Sequence, residues 1–354
     1  MKKIATIIGT RPQIIKANII SKTIAEKYSE VFKEIVIDTF QHYEYNMSNT
    51  IYNELNYKAD YTLYNTEDET DIGKFCKQMM AIETILNRIK PEIVIVYGDT
   101  NSTLVGSLVA SKLKIKIAHI EAGMRCGNKD MIEEQNRILT DHLSTYLFVP
   151  TLKAIDNLKR EGLDNSILVG DVMHDSFLRY SNIDNSVLDR YNLNSKKYIL
   201  ATIHRAENIN NKERLGNIFK ALEVLSEKDK IVIPLHPHTK KQMVINNIPI
   251  IGNIQMIDPV EYISMLNLEM NARCIITDSG GVQREASYCK VPCMVIRNET
   301  EWSEIIKYGG CYLVKIEDIT GLYNAIMEHM YIVNVNYQNN NACIKILEHL
   351  KNET

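Results

Sequence analysis

Short runs of apolar, often β-branched residues alternate with longer amphipathic segments along the whole chain, and this alternation limits the folds it can adopt. The apolar runs show no strict polar–apolar alternation, which is typical of strands covered on both faces of a parallel sheet. The segments between them are long enough for helices that connect parallel strands. We therefore expect an α/β fold with doubly wound parallel sheets. The predicted strands are Ile4–Ile8, Ile35–Asp38, Ile93–Tyr97, Ile117–Ile120, Tyr146–Val149, Ile167–Val169, Ile199–Ile203, Ile231–Leu235, Ile254–Met256, Cys274–Thr277 and Met294–Ile296.

A polar stretch divides this alternation into two series. Residues Ser181–Lys197 include four Asn and three Ser, a composition typical of a connection between domains. A chain of 354 residues is long enough for two domains that each bury a core. The boundary falls near 170–195, and we predict one domain over 1–170 and a second over 171–341. The tail Ala342–Lys351 has the pattern of a short amphipathic helix.

Charge and composition argue against several classes of function. The 41 Lys and Arg residues against 44 Asp and Glu residues give a net charge of −3, without the basic surplus of a nucleic-acid-binding protein. No apolar run approaches the roughly 18–20 residues that span a bilayer, and the run before Gly9 is too short for a signal peptide. Seven scattered cysteines favour a reducing compartment. We expect a cytoplasmic protein without nucleic-acid partners or membrane insertion.

Charged residues or glycines follow strand after strand in both series. Ligands of open parallel sheets bind beyond the carboxyl ends of the strands, so residues at these positions are candidates for a binding site. We expect them to meet in one cleft between the two domains. They are Gly9 to Arg11, Asp99 and Glu121 in the first series, and His204, His236 and Ser279 to Gly281 in the second.

The segment Ser279-Gly280-Gly281 predicts a nucleotide-binding helix start. Free backbone N–H groups and the positive end of the helix dipole suit a pyrophosphate, and glycine lets the ligand approach the backbone closely. Glu285, one turn further along, can accept hydrogen bonds from a ribose diol. The alternative interpretation is an ordinary helix N-cap by Ser279.

Two basic residues of the first series are predicted to bind the ligand. Pro12 fits the first turn of a helix, which directs Arg11 and Lys16 towards the expected cleft, where they can neutralise phosphate or stack on a base. The alternative is that both are solvated charges on a helix surface.

Three carboxylates and one histidine are candidates for acid–base chemistry. Asp99 and Glu121 follow predicted neighbouring strands, so their carboxyl groups should approach each other, and one can be held protonated while the other acts as a base. Glu133 lies at a helix start, where a purely electrostatic role at the helix N-terminus is equally consistent with the sequence. His204 fits either a core histidine or a phosphate ligand, and its position after a strand favours function.

No GxGxxG fingerprint, P-loop or set of residues at metal-ligand spacing occurs in the sequence. We therefore expect no metal and no nicotinamide cofactor, and neither redox chemistry nor ATP hydrolysis. The residue patterns by themselves predict a two-domain α/β enzyme that binds a phosphorylated nucleotide ligand and holds several carboxylates in its site.

The same clusters, in the same order, resemble the non-hydrolysing UDP-N-acetylglucosamine 2-epimerases over nearly the whole chain. The matching stretches are GTRPQIIKA (9–17), FQH (40–42), YGDTNSTLVG (97–106), HIEAGMR (119–125), EEQNRILTDH (133–142), VGDVMHDS (169–176), TIHRAEN (202–208), LHP (235–237) and TDSGGVQREA (277–286).

This resemblance implies two Rossmann-like domains facing a central cleft, as in the GT-B glycosyltransferases, with the C-terminal helix of 342–354 packed back on the first domain. It implies a homodimer that uses neither metal nor nicotinamide. The implied reaction inverts C2 of a UDP-2-acetamido sugar by anti elimination of UDP, followed by re-addition to a 2-acetamidoglucal.

The resemblance also assigns roles to individual residues. It places Asp99, Glu121 and Glu133 among the acids that move protons or stabilise the intermediate. The other matched positions belong to the substrate site: Arg11, Lys16, His204, the diphosphate loop Ser279, Gly280 and Gly281, and the ribose-binding Glu285. His236, which follows a predicted strand, is also predicted to bind substrate, although the resemblance places it near an allosteric site of bacterial members.

Departures from the family pattern leave the sugar open. Trp302 follows Thr300-Glu301 where many members have arginine, and Met265 and Val260 replace residues near the uracil. This combination is similar to the branch that acts on UDP-2,3-diacetamido-2,3-dideoxyglucuronic acid, which is the main alternative substrate. A GT-B glycosyltransferase, which would share the nucleotide site but consume UDP-sugar only with an acceptor, is a remoter alternative.

Overall fold

The computed structural model describes residues 1–40, 45–63, 70–183, 186–307, 310–329 and 341–353. Contacts divide the chain into two compact units. The first is Met1–Ser176 together with Gln338–Thr354, and the second is Phe177–Tyr337. The predicted boundary after residue 170 lies shortly before this division.

In the described part of the first unit, seven strands form one parallel sheet in the order β3-β2-β1-β4-β5-β6-β7. From β1 the chain builds the sheet outwards in one direction through β2 and β3, and from β4 it builds in the other direction through β5, β6 and β7. The junction of β1 and β4 is therefore the switch point of a doubly wound sheet. The strands are β1 Lys2–Ile8, β2 Phe32–Asp38, β3 Tyr61–Thr62, β4 Ile93–Tyr97, β5 Lys116–Ile120, β6 Tyr146–Val149 and β7 Ser166–Leu168.

In the described part of the second unit, six strands form a parallel sheet in the order β10-β9-β8-β11-β12-β13, with its switch point between β8 and β11. The predicted α/β class with doubly wound parallel sheets is therefore confirmed. The strands are β8 Tyr198–Thr202, β9 Lys230–Pro234, β10 Ile254–Ile257, β11 Cys274–Thr277, β12 Cys293–Val295 and β13 Cys311–Leu313.

Every predicted strand overlaps an observed one, and the two strands missed in the part of the chain that the structure describes, β3 and β13, lie at sheet edges. Strand β3 has two residues and β13 has three, so neither carries enough sequence for a hydrophobic pattern to be recognised. Edge strands are often this short because a long open edge invites pairing with another chain.

Helices connect the strands and cover the sheets. Within the described residues no helix is both long and apolar enough to cross a membrane. The helices are α1 Arg11–Lys27, α2 Tyr45–Glu54, α3 Asp71–Ile89, α4 Asn101–Lys112, α5 Ile132–Leu143, α6 Leu152–Arg160, α7 Val172–Tyr180, α8 Val187–Arg190, α9 Ala206–Ile209, α10 Lys212–Ser226, α11 Pro237–Ile245, α12 Tyr262–Asn271, α13 Gly280–Tyr288, α14 Ser303–Lys307, α15 Ile319–His329 and α16 Ala342–Asn352, with a 3₁₀ turn at Ile316–Asp318.

Helix α4 shows how the sequence places the residues that follow a strand. It begins directly after the loop that leaves β4, and the side chain of Thr100 caps it by accepting a hydrogen bond from the Thr103 N–H. Gly106 allows the helix to lie close to the sheet, since a β-carbon there would come within 2.8 Å of the Ile7 side chain. The Thr100 cap and the close packing at Gly106 together fix the start of α4, and with it the loop that contains Asp99.

The last helix, α16, packs on the first unit and is held at both ends. At its carboxyl end, Lys2 Nζ donates to the carbonyls of Leu350 at 3.1 Å and Lys351 at 3.0 Å, and also bonds the Glu353 carbonyl. At its amino end, the Asp175 carboxylate accepts from the backbone N–H groups of Asn341 and Cys343 at 2.9 and 2.8 Å. Asp175 therefore supplies the cap that the residue at the N-cap position does not provide.

Replacing Asp175 with alanine is expected to lower the free energy of unfolding by about 1–2 kcal/mol, because two helix N–H groups lose their acceptor. Asp175→Asn keeps one acceptor oxygen and should lose less. Urea-induced unfolding followed by circular dichroism measures the change. Asp164→Ala, at an exposed position, is the control, and equal stability of Asp175→Ala and this control would contradict the capping role.

Candidate active site

The start of α1 lies at the carboxyl end of β1 and is built around Gly9. A β-carbon at Gly9 would overlap the side-chain oxygens of Thr39 and Ser102, so no larger residue fits. Gln13, which sequence reasoning missed, is buried beneath the same turn; its Oε1 accepts from Gly9 N at 2.9 Å and its Nε2 donates to Tyr97 O at 2.8 Å. It thereby joins the loops that follow β1 and β4.

Of the two basic residues predicted here, Arg11 is the first residue of α1 and is half-buried. Lys16, one turn further along, is buried and forms an ion pair with Glu121. Glu121 directly follows β5 and has a φ of 76°, a left-handed conformation that is rare for residues other than glycine. The backbone N–H of Glu121 donates to Phe148 O at 3.1 Å, and this bond, with the Lys16 pair, holds the unusual conformation.

Asp99 follows β4 and pairs with a different cation, Arg137 of α5. Arg137 also contacts the carboxylate of Glu134 at 3.0 Å, and both of these side chains are almost fully buried. Glu134 in turn accepts from the backbone N–H of Gly127 at 2.8 Å. The predicted acid Glu133, its neighbour in the sequence, lies on the exposed side of the same helix.

Strands β4 and β5 are neighbours, so Asp99 and Glu121 follow adjacent strand ends as expected. Each carboxylate has a separate cation, Arg137 for Asp99 and Lys16 for Glu121. Arg137 and Glu134 were not among the predicted site residues, although their three-residue spacing on a helix was a usable signal.

In the second unit, His204 and His236 lie side by side, with ring centroids 6.3 Å apart. His204 follows β8, and its backbone N–H donates to the Asp278 carboxylate at 3.1 Å. Asp278 is fully buried and also accepts from Arg205 N at 3.0 Å and Asn208 Nδ2 at 2.8 Å. This aspartate, which the sequence did not single out for a role, organises the loop that presents His204.

The predicted diphosphate loop forms the start of α13. Ser279 is the N-cap, with its hydroxyl accepting from Val282 N at 3.4 Å, as the capping interpretation predicts. Helix capping leaves other N–H groups of the first turn available to an anion. A β-carbon at Gly281 would meet nothing closer than Ser279 Oγ at 3.8 Å, so this face of the turn is open. Glu285 is buried in the same helix.

The partly buried side chain of Glu301 lies against the turn at Gly280. A β-carbon on Gly280 would lie 3.0 Å from Glu301 Oε1, and the other oxygen of this carboxylate, Oε2, lies 3.2 Å from Arg297 Nη2. Trp302, the residue that departs from the family pattern, is buried, and its ring lies 4.2 Å from the guanidinium carbon of Arg284. Tryptophan at position 302 therefore forms a contact within the second unit, a cation–π interaction with Arg284.

The sequence model of the family described as UDP-N-acetylglucosamine 2-epimerase matches residues 25–351. The chain belongs to the UDP-N-acetylglucosamine 2-epimerase family. The predicted family and the predicted class of enzyme, an epimerase, are thus confirmed.

Individual relatives of this epimerase family cover most of the chain. A UDP-N-acetylglucosamine 2-epimerase homolog of Methanococcus maripaludis is 43% identical, over 99% of each chain. The UDP-2,3-diacetamido-2,3-dideoxy-D-glucuronate 2-epimerase of Pseudomonas aeruginosa is 44% identical, over 88% of each chain.

Solved structures of the family share the fold. The UDP-GlcNAc 2-epimerase of Methanocaldococcus jannaschii in complex with UDP-GlcNAc and UDP is 38% identical, with a TM-score of 0.87 over 98% of this chain and 99% of that one. Acinetobacter baumannii MurG, a GT-B enzyme, is 11% identical with a TM-score of 0.60 over 100% of both chains, which is a likeness of fold alone.

Proposed function

We propose that this epimerase inverts C2 of UDP-N-acetylglucosamine to give UDP-N-acetylmannosamine, and catalyses the reverse reaction. The proposal is carried by the two carboxylates Asp99 and Glu121, which follow adjacent strands and are each held by a buried cation. Relatives named as UDP-N-acetylglucosamine 2-epimerases support the substrate.

The proposed reaction proceeds by elimination and re-addition. A carboxylate removes the proton from C2, the C2–H electron pair forms a C1=C2 double bond, and the C1–O bond to UDP breaks. The products of this step are 2-acetamidoglucal and UDP. A β-phosphate oxygen of UDP then re-forms the bond to C1, while an acid delivers a proton to the opposite face of C2.

The acids Asp99, Glu121 and Glu133 are proposed to carry these protons. Inversion needs a base on one face of the sugar and an acid on the other, and the two exchange roles in the reverse reaction. Lys16 and Arg137 hold Glu121 and Asp99 in fixed positions, which reduces the reorganisation that proton transfer would otherwise require.

The departure of UDP requires stabilisation of negative charge, because the proton on C2 is only weakly acidic. We assign this task to Arg11, His204 and the first turn of α13, whose N–H groups and helix dipole favour an anion. His236 lies beside His204 and is assigned to substrate binding with it. Lys16 adds a positive charge for the phosphates, and Glu285 is assigned to the ribose hydroxyls.

Replacing Gly281 with alanine is expected to weaken UDP binding by about 10- to 100-fold, because the added methyl group takes space that the diphosphate needs. Folding should be unaffected, since the nearest atom to the new β-carbon is 3.8 Å away. Isothermal titration calorimetry with UDP measures the affinity. Gly321→Ala, in a helix of the same unit with open space around it, is the matched control. Unchanged UDP affinity in Gly281→Ala would contradict the assignment of the diphosphate to this turn.

Proton NMR of the purified protein with UDP-N-acetylglucosamine in D2O tests the reaction directly. The expected result is UDP-N-acetylmannosamine with deuterium at C2, because the removed proton exchanges with solvent before it returns. A parallel sample contains the diacetamido-glucuronate substrate. Absence of turnover in both samples would refute the proposal, and consumption that requires an added acceptor would indicate a glycosyltransferase.

UDP-2,3-diacetamido-2,3-dideoxyglucuronic acid is the second candidate substrate. It is favoured by Trp302, which occupies the position of a family arginine and is buried against Arg284. The 44% identical relative from Pseudomonas aeruginosa bears the name of this activity. Turnover of this compound alone in the NMR experiment would select it.

We also propose that the enzyme works as a homodimer in the cytoplasm. The family resemblance supports the dimer, and light scattering at several protein concentrations measures it. All seven cysteines lie within the described residues and are free thiols, which supports a reducing compartment.

A further inference from the structure

A chain of ionisable side chains that the proposed reaction does not use connects β5 and α5 of the first unit. His119 of β5 and Asp141 of α5 are both completely buried, with His119 Nδ1 2.6 Å from Asp141 Oδ1. Arg125 Nη1 contacts the other Asp141 oxygen at 2.8 Å, and the Nε of Arg125 donates to Glu161 at 2.8 Å. Arg125 thus bonds both carboxylates, and His142 Nε2 lies 3.3 Å from the second oxygen of Glu161.

The contacts of His119 determine its protonation. Its Nε2 lies 2.8 Å from the carbonyl oxygen of Gly98, which can only accept, so Nε2 carries a proton. Asp141 is held ionised by contacts that do not involve His119, because Arg125 Nη1 lies 2.8 Å from Asp141 Oδ2 and the N–H of Gly123 donates to the same oxygen at 3.0 Å. An ionised Asp141 can only accept as well, so Nδ1 also carries a proton. Both contacts are satisfied together only by an imidazolium ring.

His119 and Asp141 form hydrogen bonds with backbone groups close to the two proposed acids, Asp99 and Glu121. Gly98, which accepts from His119, immediately precedes Asp99, and its own N–H donates to Ile120 O at 3.0 Å. Asp141 Oδ2 accepts from the N–H of Gly123 at 3.0 Å, two residues after Glu121. One buried pair therefore fixes the loop that carries Asp99 and the loop that carries Glu121.

We propose that His119, held as an imidazolium by Asp141, is a positioning residue for the epimerisation. It acts through Gly98 and sets the distance between Asp99 and Glu121, and it does not touch the substrate. This inference rests on the proposed function for its catalytic consequence, but the protonation of the ring is independent of turnover. A histidine that only filled space in the core would require neither a proton on both ring nitrogens nor a hydrogen bond from Nε2 to Gly98 O.

Two variants of similar size separate positioning from packing. In His119→Gln the longer side chain places its amide where Nε2 lies, and it can still donate to Gly98 O. In His119→Asn the amide lies where Nδ1 was, and Gly98 O loses its donor. We expect kcat to fall about 100-fold in His119→Asn and less than about tenfold in His119→Gln, with KM within about threefold in both. Equal losses of kcat in the two variants would overturn the positioning role.

The imidazolium is tested by NMR of protein labelled with ¹⁵N histidine, at neutral pH and without substrate. The His119 signals are assigned by their loss in His119→Gln. Both ring nitrogens are expected to show protonated chemical shifts, and one unprotonated nitrogen would overturn the inference. If the wild type shows no epimerisation, the proposed function fails, while the spectrum still decides whether the buried ring is an imidazolium.

Discussion

Replacement of Glu121 with glutamine, or of Asp99 with asparagine, is expected to reduce kcat for epimerisation by about 10²- to 10⁴-fold, the range lost when a positioned acid or base is removed. Each amide keeps the shape of the side chain but can neither take up nor deliver the C2 proton. Initial rates measured by NMR give kcat. UDP affinity, measured by calorimetry, should stay within about threefold, because the groups assigned to the diphosphate are unchanged.

Controls for these variants are available on the same unit. Asp156→Asn and Glu83→Gln replace exposed carboxylates of α6 and α3, and both should retain wild-type kcat. Circular dichroism checks that the Glu121 variant folds, because Lys16 loses its charged partner there. A folded Glu121→Gln enzyme with full activity would refute the acid–base role of Glu121, and the same result for Asp99→Asn would refute that of Asp99.

Arg137→Met is expected to have the largest effect on stability, a loss of about 3–5 kcal/mol in the free energy of unfolding of the first unit. Arg137 pairs with Asp99 and with Glu134, whose side chain is only 2% exposed. Removal of the guanidinium leaves the Glu134 charge buried without its cation, and the methionine cannot compensate. Urea-induced unfolding, read at the first transition, measures the loss.

A second substitution tests the cause of this loss. Glu134→Gln added to Arg137→Met removes the buried charge, so the double variant should recover part of the stability while its activity remains low. Arg137→Lys keeps a positive charge but cannot bond both carboxylates with a planar fork, and it should be intermediate. A loss of less than about 1 kcal/mol in the free energy of unfolding of Arg137→Met would show that the ion pairs of Arg137 contribute little to stability.

Most of the sheet architecture could be predicted from the sequence because strands buried on both faces leave long apolar runs. The runs that became β1, β4 and β11 end where charged or glycine residues begin, and the structure places these residues at the carboxyl ends of the strands. The short strands β3 and β13 were missed because two or three residues carry no recognisable pattern. Their pairing depends on a neighbouring strand that is already in place.

The partners of the acids could not be predicted in the same way. Lys16 and Glu121 are 105 residues apart, and Asp99 and Arg137 are separated by 38. No local periodicity connects such pairs, because their contact depends on which strands become neighbours in the sheet. The adjacent residues Glu133 and Glu134 point in different directions on α5, and packing of that helix determines which of them is buried.

The sequence by itself therefore determined the fold class, the family and the residues that follow each strand, because these depend on local hydrophobic pattern and motif order. The tertiary structure decided which charges neutralise each other. In the folded protein Glu121 pairs with a lysine, Asp99 with an arginine and Asp141 with a histidine. Trp302 is buried against Arg284. The physical reason is that the strength of an ion pair depends on distance and burial, which exist only once remote segments have packed together.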